Sequence, residues 1–228
     1  MALEAQSASS ATLDLATEEV VMKVLVTGSA GYIGSVLCRQ LLGRGHSVVG
    51  VDNLHWGQPG TAGTGLRMER HQNDVRHISE IKTLAKGCDV VIPLAAIVGA
   101  PACDANPYLA GRVNFWAVIN LLRELSPRQA IIYPMSNSGY GARTGEVECT
   151  EETPLEPVSL YGRTKADAEM VVLGRGNSVS LRLATVFGPS PRMRWDLFVN
   201  TIVLEGMLKD KISVHGPQMR RNFVHIND

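Results

Sequence analysis

A tyrosine and a lysine four positions apart are the residues of this sequence best suited to acid–base chemistry. If the segment around them is helical, Tyr161 and Lys165 share one face of the helix. An ammonium beside a phenol favours the phenolate and lowers the tyrosine pKa from about 10 towards the working range of a general base. Ser136 lies upstream near the end of an apolar run, where its hydroxyl could hydrogen-bond a reacting oxygen. Because this tyrosine–lysine spacing is common by chance, its meaning depends on the rest of the chain.

A glycine-rich segment has the spacing of a loop that binds the pyrophosphate of a dinucleotide. Gly28, Gly31 and Gly34 directly follow a β-branched apolar run and open a helical pattern. Glycine permits a tight turn and a close approach of the backbone to phosphates at the helix N-terminus. Asp52 ends the next apolar run. Its distance in sequence from Gly28 is near the value of about 20 residues expected for a carboxylate that accepts a hydrogen bond from the adenosine ribose. This charge would repel a 2′-phosphate, so the pattern favours NAD over NADP.

Buried strands alternating with helices must position these residues. Short apolar runs bounded by turn residues predict strands over 23–27, 47–52, 66–71, 90–95, 130–134 and 179–186. Helical patterns between and after them predict helices over 32–43, 77–86, 106–125, 160–173 and 196–208. The alternation predicts an α/β fold of the Rossmann type with a doubly wound parallel sheet.

Composition excludes several classes of protein. The 228 residues are 45% hydrophobic and 19% charged, which is typical of a globular chain and excludes a disordered, collagen-like or coiled-coil one. Equal numbers of basic and acidic residues, 22 each, give no electrostatic reason to expect nucleic acid or a membrane surface as a partner. Cysteines and histidines lack metal-ligand spacing, so we expect no metal. We interpret residues 1–21 as a flexible extension and expect a cytoplasmic protein.

Taken together, the motifs resemble those of the extended short-chain dehydrogenase/reductases. The group they resemble most is that of the NAD-dependent sugar-nucleotide epimerases and dehydratases, of the UDP-galactose 4-epimerase type. The resemblance covers about residues 22–228 and rests on the glycine loop at 27–34, the Asp-Asn-Leu segment at 52–54, Asp-Val-Arg at 74–76, Leu-Ala-Ala at 94–96, Asn114, Ser136, and the pair Tyr161 and Lys165.

The resemblance implies a binding site for NAD and one for a nucleoside-diphosphate sugar. The implied cofactor residues are Gly28, Ala30, Gly31, Tyr32, Ile33, Gly34, Asp52, Asn53, Asp74, Val75, Leu94, Ala95, Ala96, Asn114, Tyr161 and Lys165. The implied substrate residues are Ser136, Asn137, Thr185 and Arg221, the last as a clamp on the diphosphate.

The implied catalytic residues are Ser136, Tyr161 and Lys165. In the implied reaction Tyr161 takes a proton from a sugar hydroxyl while hydride passes to the nicotinamide. Ser136 hydrogen-bonds the reacting oxygen, and Lys165 holds the nicotinamide ribose and tunes Tyr161. Return of the hydride to the other face of the ketone completes an epimerisation, with C4 as the expected position.

Departures from the family pattern narrow the expected reaction. Dehydratases commonly carry Asp and Glu after the catalytic hydroxyl, where this chain has Asn137 and Ser138, so 4,6-dehydration is disfavoured. Thr185 stands where many relatives have a longer Asn that touches the substrate phosphates. Two alternatives remain: an NAD(P)-dependent ketosugar reductase, and a non-catalytic dinucleotide-binding fragment or sensor.

The resemblance also bears on domain organisation and assembly. Relatives run longer, so we expect an NAD-binding domain over 22–188 followed by a partial substrate-binding region over 189–228, truncated at its C-terminal end. Relatives often pair through two helices that correspond here to 106–125 and 160–173. We therefore expect a homodimer.

Overall fold

The computed structural model describes residues 20–57, 68–142, 148–209, 211–214 and 220–228. Most of the predicted N-terminal extension, residues 1–19, and the first two residues of the strand predicted over 66–71 lie outside these ranges. Within them, no helix combines the length and the apolar character needed to cross a membrane.

A six-stranded parallel sheet forms the centre of the molecule. Its strand order is β3-β2-β1-β4-β5-β6. The strands are β1 Lys23–Thr27, β2 Ser47–Asp52, β3 Glu69–Gln72, β4 Val90–Pro93, β5 Ala130–Ser136 and β6 Ser178–Leu183. Because the order reverses direction between β1 and β4, the crevice for a ligand is expected beyond the carboxyl ends of these two strands. The sheet confirms the predicted doubly wound α/β fold.

Helices cover both faces of the sheet, as a parallel sheet of apolar strands requires. They are α1 Tyr32–Gly43, α2 Ile78–Ala85, α3 Ala100–Ala105, α4 Pro107–Gly111, α5 Ala117–Glu124, α6 Leu160–Gly174 and α7 Phe198–Lys209. A π-helical segment, Arg112–Trp116, joins α4 to α5, and a 3₁₀ turn, Asn137–Tyr140, follows β5. Alternate residues of β1 face the two sides: Leu25 packs with the layer of α2, α5 and α6, whereas Val26 packs on the side of α1.

The strand predicted over 179–186 is wrong, because the chain forms two strands there. The first part, β6, pairs with β5, whereas β7, Thr185–Phe187, leaves the main sheet. It pairs in parallel with β8, Phe223–His225, and its first amide, that of Thr185, donates to the carbonyl of Asn222 at 3.2 Å. Apolar periodicity is the same in both strands, so the sequence pattern does not reveal a change of partner.

Candidate active site

The candidate site residues meet at one edge of the sheet because its strands are parallel. The glycine loop follows β1, Asp52 ends β2, Asp74 follows β3, Leu94 follows β4, and Ser136 ends β5. The carboxyl ends of parallel strands lie on the same edge, where open α/β sheets bind ligands. The predicted cofactor and catalytic residues therefore share one surface at the switch point between β1 and β4.

The glycine loop has a shape that side chains would destroy. Gly28 has φ +73°, and a Cβ added there would lie 2.7 Å from the backbone nitrogen of Ala95, across the switch point. A Cβ on Gly34 would lie 2.1 Å from the carbonyl oxygen of Gly28. Ala30 and Gly31 complete the turn, and Tyr32 and Ile33 begin α1. The loop thus keeps the partly exposed backbone of Gly28 and Gly31 free of side chains next to the N-terminus of α1, which fits the pyrophosphate of a dinucleotide.

Asp52 is tied to the glycine loop by its side chain. Its Oδ2 accepts from the backbone amide of Ala30 at 3.0 Å, and its Oδ1 accepts from the amide of Leu54 at 2.8 Å. A carboxylate has about four lone-pair sites, so each oxygen can accept one further bond. The position beside the loop fits a carboxylate that receives ribose hydroxyls.

Asp74 belongs to a small polar cluster next to Asp52. Arg76 donates from Nε to Oδ1 of Asp74 at 2.8 Å, and Asn53 donates to Oδ2 at 3.1 Å. Hydrogen bonding to Arg76 holds the pKa of Asp74 well below its ordinary range. The neighbouring Val75 lines a small apolar crevice with Pro93 and Ala95. The sequence motif therefore brings together a fixed carboxylate and an apolar wall.

Asn114 braces the loop after β4, in which Leu94, Ala95 and Ala96 are half-buried. Its Oδ1 accepts from the backbone amide of Ile97 at 2.8 Å, and its Nδ2 donates to the Ile97 carbonyl at 2.9 Å. Nδ2 also lies 3.3 Å from the hydroxyl of Thr164 on α6. Asn114 is buried in the π-helical segment, so its side chain holds the loop against α6.

Ser136 and Tyr161 lie together at the ends of β5 and the start of α6. The Ser136 hydroxyl caps the 3₁₀ turn by accepting from the amide of Ser138 at 3.2 Å. Ser159 caps α6, its hydroxyl accepting from the amide of Gly162 at 3.0 Å, and this cap fixes the first helical turn, which carries Tyr161. The two caps aim a hydroxyl and a phenol at each other from separate elements.

The pKa of Tyr161 is raised above its ordinary value, because burial disfavours the phenolate more than its neighbours favour it. The positive charge of Arg194 and the hydrogen bond from Ser136 act in the opposite direction. The prediction that Lys165 would bring about a net lowering of this pKa is therefore wrong for the chain by itself. Burial depends on packing between elements, which the spacing of two residues does not reveal.

Lys165 is buried and has no hydrogen-bond acceptor among the described residues. Its Nζ lies 4.1 Å from the ring centroid of Tyr133, and burial lowers its pKa to about 7, an effect that Glu169 opposes. A buried ammonium with three unsatisfied donors is costly unless a ligand supplies acceptors. Ribose hydroxyls would supply them, so Lys165, the glycine loop and Asp52 all fit a dinucleotide.

Tyr32 performs a task that the sequence did not indicate. Its hydroxyl donates to the carbonyl of Gly188 at 2.7 Å and lies 3.2 Å from Nδ2 of Asn200, which donates to it. Ser190 donates to the Tyr32 carbonyl at 2.7 Å. The side chain of Tyr32 connects α1 to the segment 188–200, which we call the 188–200 clamp, and its backbone at the start of α1 remains a predicted cofactor contact.

Asn222 joins the predicted substrate residues. The side chain of Asn137 donates to Oδ1 of Asn222 at 2.9 Å, and the carbonyl of Asn222 accepts from the amide of Thr185. Arg221, the preceding residue, is exposed. Asn222 thus lies next to Asn137, Thr185 and Arg221. Sequence reasoning missed Asn222, because an exposed asparagine beside a strand carries no pattern.

Among the described residues, no group of three or more His, Cys, Asp or Glu could hold a metal ion.

Known proteins similar to this chain act on or bind nucleotide sugars. The chain is 32% identical over 225 residues to YtcB of Bacillus subtilis (strain 168), an uncharacterized UDP-glucose epimerase, covering 91% of this chain and 70% of that protein. It is 28% identical over 224 residues to UDP-glucuronate 4-epimerase 4 of Arabidopsis thaliana, covering 90% of this chain and 51% of that protein. The chain thus spans about half the length of the plant relative.

Solved structures similar to this chain include two proteins in complex with NAD. The structure resembles Thermus thermophilus UDP-glucose 4-epimerase in complex with NAD, with a TM-score of 0.77 at 26% identity, covering 90% of this chain and 71% of that one. It also resembles MoeE5 in complex with UDP-glucose and NAD, with a TM-score of 0.75 at 28% identity, covering 90% and 68%. The sequence matches the NAD dependent epimerase/dehydratase family over residues 24–228. The glycine loop and Asp52 fit NAD, the cofactor of that family. The chain therefore belongs to the NAD dependent epimerase/dehydratase family.

Proposed function

We propose that the chain catalyses the epimerisation of a nucleoside-diphosphate sugar at C4. One observation carries this proposal: a buried ammonium, Lys165, lies one helical turn from a phenol, Tyr161, that faces the hydroxyl of Ser136 at the edge of the sheet. We further propose that residues 22–188 bind NAD and that residues 189–228 contribute part of the sugar-nucleotide site. The 4-epimerases among the relatives support C4 as the position of the reaction.

In the proposed reaction each residue has a defined chemical role. NAD, when bound, supplies the acceptor for the hydride and returns it. Tyr161 takes the proton from the C4 hydroxyl and later gives it back, and Ser136 donates a hydrogen bond to the same oxygen. Lys165 holds the ribose hydroxyls of the cofactor and favours the phenolate of Tyr161. Arg221 binds the substrate diphosphate, with Asn137 and Thr185 beside it.

The residues after Ser136 favour epimerisation over dehydration. Asn137 and Ser138 have no acidic side chain, and their polar groups are engaged with Asn222 and Ser136. Elimination of water needs a group that can give or take a proton near neutral pH. We therefore propose a reaction without net dehydration.

Incubation of the chain with UDP-glucose, or with UDP-glucuronate, and NAD tests the function. We expect NMR of the products to show the C4 epimer of one of the two, with no net formation of NADH. We expect mass spectrometry to detect NAD released from the denatured chain. Net consumption of NADH with a ketosugar would overturn the proposal in favour of a reductase. NAD binding without conversion of either sugar nucleotide would overturn it in favour of a non-catalytic binding protein.

We also propose that the chain forms a homodimer through α4, the π-helical segment, α5 and α6. Exposed apolar side chains on these helices include Trp116 and Met170, which are 48% and 69% exposed. Covering them would remove apolar surface from water. We expect light scattering to give a dimer mass for the unmodified chain and a monomer mass for Met170→Glu. Met207→Glu, on α7, is the matched control because Met207 is 79% exposed outside the proposed interface. A monomer mass for the unmodified chain at micromolar concentration would disprove the dimer.

A further inference from the structure

A buried carboxylate lies one helical turn beyond Lys165. Glu169 follows it on α6 at the i,i+4 spacing, which places both side chains on one face of the helix. Glu169 is 2% exposed and Lys165 is 5% exposed. Charged groups at such depth are rare unless a partner is close, so the burial of both side chains requires an explanation beyond packing.

Two residues of the neighbouring strand β6 fix the Glu169 carboxylate. Ser180 donates to Oε1 at 2.5 Å, and Arg182 donates from Nε to Oε1 at 3.0 Å and from Nη2 to Oε2 at 3.0 Å. The fork of the guanidinium thus engages both carboxylate oxygens, the geometry that gives such pairs their directional specificity. The hydrogen bonds hold the pKa of Arg182 above its ordinary value, so Arg182 stays charged.

The remaining donor of Arg182 reaches the segment that follows Ser136. Nη1 donates to the hydroxyl of Tyr140 at 3.1 Å and to the carbonyl of Glu151 at 3.0 Å. Tyr140 ends the 3₁₀ turn that Ser136 caps, and its own hydroxyl donates to the Thr150 carbonyl at 3.0 Å. The Glu169–Arg182 pair therefore connects α6, β6 and the turn that carries the catalytic serine.

We propose that Glu169 is a positioning residue of the proposed reaction: its carboxylate, fixed by Arg182 and Ser180, keeps the buried Lys165 charged. The effect of Glu169 on catalysis rests on the proposed function, because it acts through the charge on Lys165, which favours the phenolate of Tyr161. The effect of Glu169 on Lys165 does not rest on that function, because the protonation of Lys165 can be measured without turnover.

Several charged or titratable groups face the site from the elements packed around α6. They are Tyr161 and Glu169 on α6, Tyr133 on β5, Cys103 on α3, Arg182 on β6, and Arg194 in the 188–200 clamp. Among the described residues, Glu169 is the one whose charge favours the charged form of Lys165, and the ring of Tyr133, with its centroid 4.1 Å from Nζ, favours it through its π electrons. Removing the charge of Glu169 will therefore lower the pKa of Lys165 further, and the ammonium will lose its proton at a lower pH.

The test is a ¹³C NMR titration of the lysine Cε signals, with Lys165 assigned from the Lys165→Met variant. In the unmodified chain we expect Lys165 to titrate at about pH 7. In Glu169→Gln we expect Lys165 to titrate about one pH unit lower. In Glu205→Gln we expect no change at Lys165, because Glu205 pairs at 3.0 Å with Lys209 on the exposed helix α7 at the same spacing. Titration of Lys165 at the same pH in Glu169→Gln as in the unmodified chain would overturn the proposal.

A double variant keeps the test valid if Glu169→Gln does not fold. The single substitution leaves Arg182 without its carboxylate, which is destabilising, whereas replacing a buried pair by uncharged residues of similar volume is often tolerated. Glu169→Gln with Arg182→Met removes both charges, and we expect the pKa of Lys165 to fall by less than in Glu169→Gln, because the Arg182 cation, whose charge opposes the ammonium, is lost as well. An unchanged Lys165 titration in the folded double variant would overturn the proposal.

Kinetics separate positioning from a merely structural contribution. With Glu169→Gln, we expect the limb of the pH profile of kcat/KM that reports Lys165 to move to lower pH, because loss of the neighbouring negative charge lowers the pKa of Lys165. Loss of rate with an unmoved profile would mean that Glu169 only supports the fold, and would overturn the proposal. If Lys165 titrates as expected but no sugar nucleotide is converted, the proposed function fails while the effect of Glu169 on Lys165 stands.

Discussion

Replacing Tyr161 by phenylalanine is expected to reduce the conversion of sugar nucleotide about 10²–10⁴-fold, the usual contribution of a positioned general base. The substitution removes only the hydroxyl, and the ring keeps its place in the first turn of α6 beside Ser136. The Gly28 loop, Asp52 and Lys165 are unchanged, so the affinity for NAD should stay within a few-fold. Single-turnover measurement of hydride transfer together with an NAD titration would separate the two effects.

Tyr108→Phe is a suitable control for this experiment. Tyr108 lies on α4, in the proposed dimer interface and outside the proposed reaction, with 77% of its surface exposed in the single chain. Phenylalanine keeps its ring, so loss of the hydroxyl should leave both rate and affinity unchanged. Equal rates for Tyr161→Phe and the unmodified chain would exclude Tyr161 as the general base. The site would then need another proton acceptor, and Lys165, with its lowered pKa, would be the first to test.

Replacing Gly34 by alanine is expected to abolish NAD binding and to lower the free energy of unfolding by about 3 kcal/mol, the upper part of the usual range for single substitutions. The added Cβ would lie 2.1 Å from the carbonyl oxygen of Gly28 and 2.9 Å from Cα of Ser29. These are backbone atoms, so no side-chain rotation relieves the clash. Either the loop moves or α1 withdraws from it, and both movements destroy the surface that faces the phosphates.

Gly43→Ala provides a matched control on the same helix. No atom lies within 4 Å of a Cβ placed on Gly43, the last residue of α1. Alanine there should be neutral or stabilise the chain by roughly 0.5–1 kcal/mol, because glycine is a poor helix former. Urea unfolding and NAD titration of both variants test the comparison. Similar losses in the two variants would show that the clash at Gly34 does not decide the loop geometry.

Local patterns were sufficient to predict much of the sheet. The predicted bounds of β1, α1 and β2 agree with the structure, since a βαβ unit with a glycine loop combines strong local signals. Relations between distant segments were not predictable in the same way. The division of 179–186 into β6 and β7 depends on pairing with Phe223–His225, and Asn114 in the π-helical segment contacts Ile97, which is 17 residues away in the sequence. Neither relation leaves a periodic trace in the sequence.

The same distinction holds for the site. Residues that end strands, such as Asp52 and Ser136, could be placed at the sheet edge because parallel topology fixes where strands end. The state of a group could not be predicted, because it depends on how deeply neighbouring elements bury it. Tyr161 and Lys165 illustrate this point: burial raises the pKa of the first and lowers that of the second, and the spacing between them contains no information about burial.

The 188–200 clamp affects how the molecule opens. Breaking the contact between Tyr32 and Gly188 exposes the buried side chain of Asn200, which also donates to the carbonyl of Arg194 at 2.9 Å. Segments that share buried hydrogen bonds open together as one cooperative unit in amide hydrogen exchange. The first turn of α1 and the segment 188–200 should therefore exchange at a common rate. A ligand that slows exchange at the glycine loop would then also protect the segment 188–200.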